Sequence, residues 1–463
     1  MQILMYMYNL RVSTMVLFLG TLVGSIMKGY CQTQPKVLPT MEQVNWADKE
    51  IGVIIHLDIN IFAPDTFDYA KKETLPGANA FNPSKLNTDQ WIKSAKGAGA
   101  KYAILTAKHG TGFCLWPSKV NAYNVGHTHW RNGQYDVVKH FIVSCKKYGI
   151  KPGFYYNTNT NTYYEAPQKT QVSDSATAVF NKAVLAQLTE LWSNYGDIFE
   201  IWFDGGVMVD EKKGIADKIL ALIHKKQPHA ILFQGPFESH NIIRWTGNED
   251  GVAPYPFWSR ADSVTSSNGV QQIANAGGNP KGTLWCPGES DFPNKKNSAW
   301  NGGWLWKAGQ DSFLLTANEL TDKYCSSVGR NTNMLIGMAI DTSGLFPSAD
   351  SAILASFGKK ISGDFGAPLS VAKHVHSKTT ELFYTAIGTK ASKLVVMEDV
   401  RYGENIRKYT LEAWLDGKWK EIAQGEGVGH KRIQIFKPVA AAKFRFVVKE
   451  VEGAVNIKQL ALY

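Results

Sequence analysis

Several features are scarce or missing in this chain of 463 residues. Charged residues make up only 19% of it, and no long run of one sign occurs. That excludes an acidic solvating tract or a basic nucleic-acid arm. Lys and Arg outnumber Asp and Glu by 50 to 40, a formal net charge of +10. The basic residues are scattered, however, and no DNA- or RNA-binding motif accompanies them. What remains is a mild attraction to acidic glycans or surfaces. Cysteines number five, with no Cys-x-x-Cys pair and no ligand spacing of a known zinc pattern. A structural zinc site and a disulfide framework are set aside, although one or two disulfides stay open among Cys114, Cys145, Cys286 and Cys325. The chain has no Gly-x-Ser-x-Gly elbow and no glycine-rich phosphate loop after a strand. Serine hydrolases and nucleotide enzymes are therefore poor fits. Repeats and low-complexity tracts are absent.

Long apolar runs are also missing, except one near the N-terminus. Arg11 precedes Met15 to Met27, a run too short for a comfortable membrane span and suited to a signal peptide. Gly29 and Cys31 stand at the −3 and −1 positions for cleavage before Gln32. Residues 1–31 are read as a signal peptide, released by cleavage rather than lipid-anchored at Cys31. No Asn-x-Ser/Thr acceptor has a permitted middle residue, since Pro83 follows Asn82. The expectation is a bacterial exported protein, periplasmic or secreted, without a membrane span.

What is present is a rhythm of short apolar strands and helical stretches. Strands are expected at Ile51 to Leu57, Tyr102 to Ala107, Gly153 to Tyr156, Ile198 to Phe203, Ala230 to Phe233, Ile242 to Trp245, Leu284 to Cys286 and Met334 to Met338. Such alternation predicts a parallel α/β architecture, here an irregular (β/α)8-like barrel over 32–362. From about Gly366 the texture becomes alternating β, with a hairpin turn at Asp416-Gly417. A C-terminal antiparallel β-sandwich is expected over 363–463. Aromatics reach 12% of the chain, which suits sugar stacking and an ordinary large core alike.

Polar residues collect at the expected strand tips. The segment Ile201-Trp202-Phe203-Asp204-Gly205-Gly206 ends an apolar strand in a carboxylate, at the barrel face where active sites form. On local pattern alone Asp204 serves equally as a helix cap. His56 and Asp58, then His109, then Tyr155 to Asn157, then Glu289 and Asp291 follow other strands. Taken singly, the histidines read as core residues, Trp116 and Trp202 as packing, and Glu289 as a surface acid in a loop. Taken together they outline a polar pocket with two carboxylates, the apparatus of glycosidic bond cleavage. A metal site is the natural competitor, but the spacing supports none.

These residues bring a family into view. The chain resembles the α-L-fucosidases of glycoside hydrolase family 29 from about Ile51 to Pro347. The resemblance rests on Thr106-Ala107-Lys108-His109, Gly112 to Ser118, Asn194-Tyr195-Gly196 and Glu200 to Gly205. Gly247 to Gly251 and Asn333-Met334-Leu335 support it. It implies a retaining exo-glycosidase acting without cofactor or metal on fucosylated oligosaccharides or glycoconjugates. The implied nucleophile is Asp204. The Pro287-Gly288-Glu289 segment is similar to the one that supplies the acid/base in the branch acting on α-1,3/1,4-linked fucose, which implies Glu289. His56, His109, Trp116, Tyr156, Trp202 and Arg244 are the implied sugar contacts. The sandwich resembles galactose-binding-like modules and is expected to buttress the barrel.

The departures are specific. His109-Gly110-Thr111 stands where the family has His-His-Asp, and His56-Leu57-Asp58 where it has His-Trp-Gly. After Glu289 the usual Ile-Arg-x-Gly-Trp is only partly replaced by Asn301 to Trp304. These changes touch the glycone pocket, so the same mechanism on another sugar, such as an α-L-galactoside, stays open. A glycan-binding protein on a decayed hydrolase fold is the remaining alternative.

Overall fold

The computed structural model describes residues 36–166, 174–207, 215–265, 271–274 and 277–463. The expected signal segment, with Cys31, lies outside them. Eight parallel strands close into a barrel: β1 (Ile51–His56), β2 (Tyr102–Lys108), β3 (Lys151–Tyr156), β4 (Glu200–Phe203), β5 (Ile231–Phe233), β6 (Ile242–Trp245), β10 (Gly288–Pro293) and β11 (Thr332–Ala339). The ring closes where Ile51 to His56 of β1 pair with Met334 to Ala339 of β11. Between β6 and β10 the chain makes a small antiparallel sheet of β7 (Arg260–Thr265), β8 (Gln271–Ala274) and β9 (Leu284–Trp285). The strand expected at Leu284 to Cys286 is thus β9 of that excursion. The barrel strand begins at Gly288, in a segment whose polar composition had suggested a loop.

Helices α2 (Thr88–Gly97), α3 (Val137–Tyr148), α4 (Asp174–Asn194), α5 (Ile215–Lys226), α6 (Ala317–Ser326) and α7 (Ser348–Phe365) accompany the barrel, while the short α1 (Met41–Ala47) precedes it. Their starts follow from the sequence. Asn87 caps α2 and Asp136 caps α3 through their side chains, and Thr316 with Glu319 forms a capping box on α6. Gly149 ends α3 at φ 70°, the left-handed turn that glycine permits.

Two apolar clusters separate along the period-two alternation of the strands. Ile54, Tyr102, Ile104, Tyr155, Trp202, Ile231, Phe233, Ile243 and Leu335 pack together inside the barrel, with Trp46 of α1. Phe154, Tyr156, Ile201, Phe203, Leu232 and Ile336 belong to the layer shared with the helices. Gly52 admits the interior ring of Tyr102: a Cβ there would lie 2.3 Å from it.

The sandwich pairs a sheet of order β12-β19-β14-β17 with one of order β13-β18-β15-β16. These are β12 (Ser370–His376), β13 (Thr380–Tyr384), β14 (Lys390–Glu398), β15 (Ile406–Leu415), β16 (Lys418–Glu426), β17 (Arg432–Ala440), β18 (Lys443–Val451) and β19 (Asn456–Leu462). Their inner faces form a separate core around Leu411, Phe444, Phe446 and Leu460. The sandwich meets the barrel near the start of its strands. His430 and Lys458 bond Asp48 at 2.7 and 2.6 Å, just before β1. The Glu404 carboxylate accepts from the Ser259 backbone and from Asn331. Cys114, Cys145, Cys286 and Cys325 are all free thiols, so no disulfide joins them. Among the described residues no helix is long and apolar enough to cross a membrane.

Candidate active site

At the end of the barrel where the strands finish, an open pocket of about 200 Å³ is lined by Ile54, His56, His109, Tyr155, Trp202, Asp204, Glu249, Asp291, Asn301 and Trp304. Asp204 follows the last residue of β4. Gly205 and Gly206, at φ 66° and 84°, turn the chain away immediately behind it. A side chain at Gly205 would strike Asn159 Nδ2 at 2.3 Å. That amide donates to the Asp204 carbonyl at 2.6 Å, so the glycine is needed for the turn and for this bond. The carboxylate accepts at Oδ2 from the Tyr155 hydroxyl at 2.6 Å and from Asn157 Nδ2 at 3.1 Å. Behind Asn157, the fully buried Lys108 ammonium bonds its carbonyl oxygen and lies over the Tyr156 ring. Burial brings Lys108 down to about 7.

One wall of the pocket is a ladder of stacked rings. His109 on Tyr155, Tyr155 on Trp202, and Trp202 on Phe233 have centroid separations of 5.4, 5.3 and 4.0 Å and interplanar angles of 17° or less. Trp304 lies over His56 at 5.1 Å. Gly337 makes room for it, because a Cβ there would be 2.9 Å from the Trp304 ring. Burial, followed by repulsion from His109, drives His56 down to about 3, so the ring is neutral at ordinary pH. A neutral imidazole offers one donor and one acceptor to hydroxyl groups.

Two further carboxyls share the pocket. Glu249 is exposed at the rim, where Trp304 Nε1 donates to it at 2.9 Å. Asp291 is buried in the wall and accepts from Trp245 Nε1 at 2.7 Å. Burial first, then the nearby Glu289 and Glu249 carboxylates, raise Asp291 well above the usual carboxylate range.

Four of the eight expected site residues line this pocket: His56, His109, Trp202 and Asp204. The other four do not. Tyr156 points out of the barrel, where its hydroxyl donates to Gln187 of α4 at 2.6 Å; Tyr155 is the inward neighbour. Trp116 is buried behind the strands and donates to Glu190 of α4 at 2.8 Å. Arg244 also faces outward. It bonds the carbonyls of Trp258 and Cys286 and lies over the Phe257 ring, while Ile243 fills the interior.

Glu289 has the right parity but the wrong depth. It is 0% exposed, paired in register with Trp245 and Asn333 at the beginning of β10. Its carboxyl accepts from the Tyr102 hydroxyl at 2.6 Å and from Trp202 Nε1 at 3.0 Å. Glu200, itself bonded by Trp46, is its neighbour, and burial raises both acids. Asp291, two residues on, is the member of β10 that reaches the pocket. Tyr155, Glu249, Asp291, Asn301 and Trp304 line the pocket without having been among the eight expected site residues, although Tyr155 and Asp291 stood at the expected strand tips and Asn301 and Trp304 in a segment expected to touch the pocket. Glu249 stood in a segment already singled out, Gly247 to Gly251, as the only glutamate there.

The pocket can hold a ring on its aromatic wall, bond its hydroxyls through His109, Asn301 and the neutral His56, and place one buttressed and one exposed carboxylate around it. Among the described residues no group of three or more His, Cys, Asp or Glu side chains is placed to hold a metal ion. The family described as alpha-L-fucosidase matches residues 38–363. Alpha-L-fucosidase 1 of Arabidopsis thaliana is 28% identical over 467 residues, spanning 92% of this chain and 87% of that protein. Two crystal structures share the architecture over 92% of this chain. A proposed alpha-L-fucosidase from Bacteroides thetaiotaomicron is 31% identical with a TM-score of 0.85 and 99% of its own length covered. A glycoside hydrolase 29 family member from a rumen bacterium is 28% identical with a TM-score of 0.78 and 77% covered.

Proposed function

The chain belongs to the alpha-L-fucosidase family of glycoside hydrolases, and we propose that it releases terminal α-L-fucosyl residues from oligosaccharides or glycoconjugates with retention, by way of a covalent glycosyl-Asp204 intermediate. Asp204 attacks the anomeric carbon. Tyr155 and Asn157 hold its Oδ2, which orients the carboxylate toward the ring. Glu249 protonates the departing oxygen and then deprotonates the incoming water. It takes this role in place of Glu289 because it stands at the rim, where an aglycone leaves and water enters. Glu289 is sealed beneath Trp202 and reaches neither. The ring ladder and Trp304 receive the apolar face and methyl group of the sugar.

The observation that carries this reading is the shared pocket of Asp204 and Glu249. It is tested by sugar release from aryl α-L-fucoside, aryl α-L-galactoside and α-1,2-, α-1,3- and α-1,4-fucosylated oligosaccharides. NMR identifies the anomer formed first. Wild type is expected to release α-fucose first. Asp204→Asn should be slower by at least about 10⁴-fold, the scale of losing a covalent nucleophile. Release of β-fucose first would overturn retention, and turnover of the galactoside alone would move the substrate to that sugar.

A further inference from the structure

The wall around His109 contains an arrangement that two-carboxylate chemistry leaves unused. Gly110 follows His109 without a side chain, and a Cβ there would sit 2.9 Å from Cε1 of Tyr69. The Tyr69 ring therefore occupies the space that a side chain at 110 would need. Its hydroxyl accepts from Asn60 Nδ2 at 3.0 Å and lies 3.3 Å from His109 Nδ1. Asp58 approaches the same nitrogen, with Oδ2 at 3.4 Å. The other oxygen of Asp58 accepts from Thr111 Oγ1 at 2.6 Å and from the Ile59 backbone at 2.7 Å, which pins the carboxyl in place. The residues by which the two sequence motifs depart from the family pattern thus meet in space: Asp58 bonds Thr111, and Gly110 admits Tyr69.

We propose that Asp58 and Tyr69 are positioning residues that together fix the ring orientation and tautomer of His109 for sugar binding. The inference rests on the pocket being a glycone site. The Asp58 carboxylate facing Nδ1 can only accept and so keeps the proton there, and Nε2 presents a lone pair that accepts from a sugar hydroxyl. Asp58 is 1% exposed and so acts only through the ring. The His109 ring stacks on Tyr155 and has the Tyr69 ring centred 6.0 Å away, so both rings restrict its rotation.

The test uses full-length protein labelled with ¹⁵N at histidine, comparing wild type, Asp58→Leu, Tyr69→Phe and His109→Ala. Long-range ¹H–¹⁵N spectra should show the Nδ1–H tautomer for His109 in wild type and a mixture in Asp58→Leu. KM for the aryl fucoside should rise about 10-fold in Asp58→Leu and less in Tyr69→Phe, the scale of one hydrogen bond, with kcat changing little. Gly110→His should lower kcat/KM by about 10-fold or more, and Tyr69→Ala in the same chain should restore most of it. A single unchanged tautomer in both Asp58→Leu and Tyr69→Phe would overturn the proposal, and so would penalties of Gly110→His and Tyr69→Ala that simply add. Tyr69→Phe removes one oxygen and keeps the test open if Asp58→Leu does not fold. If wild type turns over neither fucoside nor galactoside, the functional reading fails, while the tautomer signal still reports on the positioning.

Discussion

Replacing Glu249 and Glu289 separately by Gln discriminates the two acids that the sequence and the structure favour. Glu249 stands at the pocket rim, so Glu249→Gln should remove protonation of the leaving oxygen. General acid–base assistance contributes about 10²–10⁴-fold, or roughly 3–5 kcal/mol at 1.36 kcal/mol per tenfold. That loss should appear in full on an oligosaccharide, whose alcohol leaves poorly, and far less on a dinitrophenyl fucoside, whose phenolate needs no proton. With the base gone, the glycosyl-enzyme should accumulate, and azide, which needs no deprotonation, should rescue turnover. Glu289→Gln is a different perturbation. The carboxylate accepts from Tyr102 and Trp202, whereas the amide offers one acceptor oxygen and buries an NH₂ against a donor. One broken bond and one unsatisfied group cost about 1–3 kcal/mol of stability, or roughly 1–3 °C in Tm for a chain of this size. Activity should fall by no more than the slight displacement of Trp202 demands, equally for both substrates and without azide rescue. The reasoning is refuted if azide rescues Glu289→Gln, or if Glu249→Gln cleaves the oligosaccharide at the wild-type rate.

Two further outcomes follow from the pocket. His56 titrates near 3 in the fold against about 6.5 when unfolded. Between those values the unfolded chain binds a proton that the native state refuses, so stability is full above about pH 6.5 and declines as pH falls toward 3. Urea unfolding of His56→Gln should therefore lose up to about 2 kcal/mol less between pH 7 and pH 5 than wild type; an identical loss would contradict a buried neutral imidazole. Gly337→Ala places a methyl 2.9 Å from the Pro293 Cα and from the Trp304 ring. Overpacking of this kind costs about 1–3 kcal/mol, and since the indole yields before the backbone, KM should rise more than kcat falls, with a shift in tryptophan fluorescence. Unchanged kinetics would mean that Trp304 does not contact the sugar.

Alternation of apolar strands and helices, the change to β texture near Gly366 and the carboxylate set between Phe203 and two glycines were legible in the sequence. All three are written in local order: side-chain periodicity, turn residues and composition need no knowledge of distant partners. Seven of the eight barrel strands were found for that reason. The eighth was missed because a polar strand, Gly288–Pro293, looks like a loop until the barrel supplies its interior partners.

Which acid faces the pocket was decided only by tertiary structure. In a parallel strand buried on both sides, composition does not reveal the inward face, so Tyr155 and Tyr156 look alike, as do Arg244 and Trp245. Depth is hidden as well. Glu289 and Asp291 share a face, but only the register of β10 against β6 and β11 puts the first in the sealed interior and the second in the pocket. Glu249 reaches the pocket from a loop whose path the barrel rim determines. The pairing of Asp58 with Thr111, 53 residues apart, is of the same kind: periodicity and turn chemistry are local, whereas a site at the mouth of a closed barrel is assembled from strand ends that only closure brings together.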